Sequence, residues 1–104
     1  MSAEYAVVYA FDVKPGSKAS FIQAWEELTR LIYAHESSLG SRLHRTDEQS
    51  NRFIAYAQWP SKVQWENMAT NLPETAQKWQ DQMREACSEI TTLYRLTTEI
   101  DLLA

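Results

Sequence analysis

The stretch Leu39–Trp65, LGSRLHRTDEQSNRFIAYAQWPSKVQW, limits the possible folds more than any other part of the chain. After Gly40 comes a short alternating run, Arg42-Leu43-His44-Arg45-Thr46, and then a polar segment, Asp47-Glu48-Gln49-Ser50-Asn51. A second alternating run, Phe53 to Trp59, is closed by Pro60. Two β-favouring runs around a polar turn predict a hairpin. Proline has no ladder donor and ends the return strand. Ser61 and Gln64 then form a capping box, each side chain placed to bond the other's backbone N–H at a helix start. The unit is strand, turn, strand, helix, with Trp59 at the strand exit and Trp65 in the first helical turns.

The flanks extend the same logic. From Glu4 to Val13, Tyr5, Val7, Tyr9, Phe11 and Val13 share one face of a strand, and Ala6, Val8, Ala10 and Asp12 the other. Both faces are largely apolar, which predicts cover on each. Pro15-Gly16 makes a turn and Ser17 is placed to cap a helix running to about His35. That helix carries Phe21, Trp25, Leu28 and Ile32 as an apolar stripe. Beyond the hairpin, Ser61 to about Asn71 reads as helix. Pro73 breaks and restarts it, with Ala76, Trp79, Met83 and Cys87 as the next buried stripe. Ile90 to Ile100, rich in Thr, Tyr, Ile and Leu, predicts a long last strand. The order βαββαβ is that of an α+β, ferredoxin-like split βαβ fold, with helices on one face of an antiparallel sheet. At 104 residues the chain is expected to form one domain, residues 1–104. The helices leave the second sheet face apolar and bare, so a face-to-face homodimer is expected.

Composition removes several function classes. A formal charge of −4 argues against nucleic acid, which needs a basic face. Two glycines leave no Gly-rich phosphate loop. The single Cys87 forms no internal disulfide and sits on an apolar stripe, as a core residue in a reducing, cytoplasmic compartment would. The N-terminal residues lack a signal-peptide pattern, and no apolar run is long enough to span a membrane. His35 and His44 have no ligand-spaced partners, so no metal site is expected.

The strings FDVKPGSKASFIQAWEELT, LGSRLHR and FIAYAQWPSKVQWE, taken in order, resemble the antibiotic biosynthesis monooxygenase superfamily. The resemblance covers residues 5 to 70 by motif and the last third by pattern. It implies a dimeric α+β barrel with a small apolar pocket between sheet and helices. It also implies oxidation of polycyclic phenols or anthrones by O₂ with no metal or flavin cofactor. The haem-degrading branch of that superfamily requires an Asn, a Trp and an iron-ligating His where this chain has Tyr9, Met68 and Lys78. Lysine, protonated near neutral pH, does not replace a neutral imidazole.

His44 is the candidate catalytic residue. Mid-strand, a neutral imidazole aimed into an apolar pocket takes a proton from a phenol and leaves a phenolate able to reduce O₂. A second reading makes it a packing residue at the sheet edge or dimer interface. Tyr9, Trp25, Tyr56, Trp59 and Trp65 are the candidate substrate-binding aromatics, with Trp79 a further ring, able either to stack on a flat ligand or to fill a core. Ala6, Ala10, Ala55 and Ala57 leave room above the strands. Arg42, with Arg45 and Arg52, either holds a substrate carboxylate or lies on a solvated face. The expected partners are a second copy of the chain and a small apolar or aromatic ligand. The other function class open to this chain is a non-catalytic ligand-binding or structural dimer.

Overall fold

Strand β1 (Tyr5–Val13) is the spine of a four-stranded antiparallel sheet ordered β2-β3-β1-β4 in the computed structural model, which describes residues 4–47, 51–68 and 70–103. The other elements are α1 (Lys18–His35), β2 (Gly40–Arg45), β3 (Arg52–Trp59), α2 (Lys62–Glu66), α3 (Thr75–Ala86) and β4 (Cys87–Thr97). The architecture is the expected α+β, ferredoxin-like one, with the second helical segment in two pieces. Tyr5 opposes Trp59 and Asp12 opposes Arg52 across β1 and β3, where Arg52 Nη1 donates to Asp12 Oδ1 at 2.8 Å. Residues 48–50, the middle of the expected hairpin turn, lie outside the described residues.

The helices pack on one face of the sheet. Phe11 and Phe53 meet Phe21 of α1 at ring-centroid distances of 5.0 and 5.2 Å, with Val13, Ala55, Ala86 and Cys87 around them. A second cluster gathers Tyr5, Val7, Ala57 and Trp59. Gln82 Nε2 of α3 donates to the Ser20 carbonyl and to Gln23 Oε1, tying the two long helices together. Gly16 (φ 82°) and Gly40 (φ 110°) adopt left-handed backbone where the chain enters α1 and β2, which a residue with a Cβ does at a cost. Ser17 holds the expected N-cap position, although its side chain makes no capping bond.

The largest boundary differences from the sequence pattern are at the end of α2 and at both ends of β4. The helix after the hairpin stops at Glu66, short of Asn71, with Asn67 as its C-cap. The following link is held from outside, because the Asn71 backbone N–H donates to the buried Glu36 carboxylate at 2.7 Å. The last strand starts at Cys87, three residues before Ile90, and ends at Thr97. Pairing with β1 decides this. Lys14 N–H bonds the Ala86 carbonyl at 2.8 Å and Val13 opposes Cys87, so tertiary pairing overrides the helical stripe. Cys87 is buried, as expected, but as the first residue of β4. Register shifts at Val8/Tyr9 and Asp12/Val13 mark two bulges along β4. Among the described residues no helix is long and apolar enough to cross a membrane.

Candidate functional site

A cavity of about 370 Å³ lies between the sheet and the helices. It exists because β3 turns Ala55 and Ala57 toward the helices between the large Phe53 and Trp59, so two methyl groups make the middle of the floor. Tyr9 and Phe11 of β1, Ser41 of β2 and Ile90 of β4 complete that floor. Helix α1 supplies one wall through Trp25, Leu28, Thr29 and Ile32, which recur at helical spacing. Helix α3 supplies Gln80, Met83 and Arg84, and the link before it Met68 and Leu72. The size and apolar lining are those of a small-molecule site.

The polar groups in this lining are few. Trp59 is 2% exposed, and its indole Nε1 is buried with no hydrogen-bond partner among the described residues. A buried donor left in that state costs about 1–3 kcal/mol. Tyr9 accepts a hydrogen bond from Trp65 Nε1 at 2.7 Å. Burial pushes the Tyr9 hydroxyl above the ordinary phenol pKa; the bond from Trp65 pulls it partly back and Tyr5 adds a small upward push. Tyr9 is therefore a neutral phenol at any ordinary pH. Arg84 is an exposed cation whose Nη1 lies 4.0 Å from Asp81 Oδ1. Among the described residues neither a carboxylate nor an imidazole lines the cavity.

Tyr9, Trp25 and Trp59 come together around this space, as a pocket reading of the aromatics requires. Trp65 stands behind Tyr9, with its ring 6.0 Å from Tyr5, and is not itself part of the lining. His44, Tyr56 and Arg42 are placed elsewhere. Arg42 opposes Tyr56 and His44 opposes Ile54 across β2 and β3, on the sheet face away from the helices. The cause is the two-residue period of a strand: Ser41 and Leu43 face the helices, so Arg42 and His44 cannot. The expectation that His44 points into the pocket is corrected on that ground. Ala6 and Ala10 lie on the same far face, leaving only Ala55 and Ala57 to make room. Trp79 is also outside the lining and carries Lys78 Nζ 4.5 Å from its ring centroid. Sequence reasoning missed Ser41, Thr29, Gln80 and Arg84. For Gln80 and Arg84 the available signal was their spacing from Met83 on one helix.

A family model described as antibiotic biosynthesis monooxygenase matches residues 4–82. The chain belongs to that family. Among solved structures it is similar to SnoaB, a cofactor-independent oxygenase from Streptomyces nogalater (16% identity, TM-score 0.75, covering 97% of this chain and 98% of that one). It is also similar to PA3566 from Pseudomonas aeruginosa (16%, TM-score 0.75, 96% and 98%) and Rv0793 from Mycobacterium tuberculosis (12%, TM-score 0.69, 92% and 98%). At these identities the likeness is one of fold. No curated protein matches the sequence.

Proposed function

We propose that this chain is a monooxygenase that oxidises a small or polycyclic aromatic substrate, phenol- or anthrone-like, with O₂ and without a cofactor. The observation that supports this most is the cavity: apolar, walled by aromatic rings, and lined by Tyr9, whose hydroxyl keeps a hydrogen to donate. A flat ring fills such a space, and an oxygen on that ring accepts from the Tyr9 hydroxyl. The same donor favours the anionic form of an ionisable substrate, because a hydrogen bond to a charged oxygen is the stronger one. Arg84 adds positive charge at the rim.

An anthrone-type methylene then gives one proton to solvent water or hydroxide. The resulting anion passes one electron to O₂, and the carbon radical and superoxide combine through a new C–O bond. The peroxide takes up a proton. Loss of the second C–H proton with cleavage of O–O leaves a carbonyl and releases water. One oxygen atom is in the product and one in water, so the substrate supplies every electron.

A non-catalytic ligand-binding protein of the same fold is the second reading, favoured by the absence of carboxylate and imidazole from the lining among the described residues. Oxygen uptake with a panel of anthrones, hydroquinones and flavonols separates the two. A monooxygenase raises uptake well above autoxidation, with saturation in substrate. Uptake equal to the protein-free rate for every compound rejects the enzyme. In an active protein His44→Gln is expected to keep its rate within about twofold. A fall of roughly 10²–10⁴-fold, the usual contribution of a positioned base, would return proton transfer to His44.

A further inference from the structure

We propose that Trp65 is a positioning residue for the cavity: by donating its indole N–H to the Tyr9 oxygen, it commits the Tyr9 hydroxyl hydrogen to an acceptor oxygen on the bound ligand. The inference rests on the reading that the cavity holds a ligand, and adds which feature of that ligand is selected.

The direction of the bond is fixed by chemistry. Indole Nε1–H is a donor only, so in the 2.7 Å contact between Trp65 and Tyr9 the phenol oxygen must be the acceptor. Tyr9 keeps one hydrogen, and conjugation holds a phenolic O–H near the plane of its ring, with two orientations available. The indole N–H occupies one of the two lone-pair directions and repels the hydroxyl hydrogen from it. The hydrogen takes the other. Tyr9 lines the cavity and Trp65 does not, so the indole works from behind the side chain that meets the ligand.

Other features hold Trp65 in this role. Its ring rests beside Tyr5, and α2, which carries it, starts with Ser61 Oγ accepting from Gln64 N–H at 3.3 Å. Burial keeps the phenol protonated, so the hydrogen is available across the ordinary pH range. The consequence is a preference for ligands with a carbonyl or phenolate oxygen over hydrocarbons of the same shape.

Two probes of nearly one shape test this: 2-acetylnaphthalene, which carries an acceptor, and 2-ethylnaphthalene, which does not. Binding is read by quenching of tryptophan fluorescence in wild type, Tyr9→Phe, Trp65→Phe and the double variant. Wild type is expected to favour the ketone by roughly three- to tenfold, the ratio that one net hydrogen bond supplies. Tyr9→Phe and Trp65→Phe should each lose most of that preference and bind 2-ethylnaphthalene within twofold of wild type. In the double variant, Trp65→Phe should have no further effect on the preference. A preference that survives Trp65→Phe, or both probes weakening together, overturns the positioning role. A wild type that binds 2-ethylnaphthalene and gains nothing from the ketone also overturns it, with the cavity reading intact. Failure to bind either probe rejects both. The oxygen-uptake result is independent of these outcomes.

Discussion

On the helix-facing side of β3 the residues run Phe53, Ala55, Ala57, Trp59, two large side chains with two methyl groups between them. Ala57→Leu would put three more carbons into the cavity floor. Filling existing space costs little compared with overpacking a tight core, so the melting temperature should hold or rise slightly. Affinity for 2-acetylnaphthalene should fall at least tenfold, read by fluorescence quenching, and unchanged affinity would place the ligand elsewhere. Cys87 gives a second test at this scale. Burial raises its thiol pKa to about 11, with Asp12 adding to the rise and Lys14 opposing it. The unfolded thiol ionises near its ordinary value of about 8.5. Between those values the unfolded chain binds fewer protons than the folded one, so the contribution to stability is full below about 8.5 and is lost as pH rises toward 11. Denaturant midpoints at pH 8 and pH 10.5 should therefore fall further in wild type than in Cys87→Ala. Equal falls would mean that the thiol ionises alike in both states.

Helix α2 is short, five residues from Lys62 to Glu66, and such a segment has little helical stability of its own. Its start depends on the Ser61 hydroxyl accepting the Gln64 N–H, and its one half-buried ring, Trp65, bonds Tyr9. Ser61→Ala should cost about 1 kcal/mol, a drop of roughly 4–8 °C in melting temperature, and should loosen the indole behind Tyr9. An unchanged melting temperature would show that the cap bond contributes nothing. One half of the capping box, the Gln64 N–H bond to Ser61 Oγ, was legible in the sequence because its partners are three residues apart. The same locality explains why β1, α1 and β3 were legible: each has an unbroken period of its own. The start of β4 was not, since Cys87 fits a helical stripe until the end of β1 pairs with it. Nor was the facing of His44, Tyr56 and Arg42. Strand period groups them on one side, but which side receives the helices is a tertiary fact, and the small Ala55 and Ala57 disguised the inner face. The bond between Tyr9 and Trp65 joins residues 56 apart and leaves no local trace.

Across the whole molecule, the sheet face away from the helices carries an apolar patch beside Arg42 and His44. Val8 of the central strand opposes Tyr56 on one side and Tyr94 on the other, and Ala6 opposes Leu96. Tyr94 is 62% exposed and Leu96 42%, and both are large for open solvent. Ile54 extends the patch toward His44 on β2. Ile100, Leu102 and Leu103, beyond β4, are exposed as well. A contiguous apolar surface of this kind is costly in water and is relieved by a matching surface. The face presents the same residues on every copy, so a twofold axis through it gives a self-complementary contact. We infer a homodimer closed through this face, burying more than about 1,200 Å² in total. Sedimentation at micromolar concentration should give twice the 12.1 kDa mass of the chain. Tyr94→Glu places a charge on the patch at a residue that is largely exposed in the single chain, so the fold should survive and the dimer should not. The expected result is a monomer with unchanged circular dichroism. A wild type that stays monomeric, or a Tyr94→Glu variant that remains fully dimeric, would show that the open face is covered in some other way. The cavity is walled within one chain, so a monomeric Tyr94→Glu protein should still bind 2-acetylnaphthalene within a few-fold of wild type. A much larger loss would mean that the second copy shapes the site.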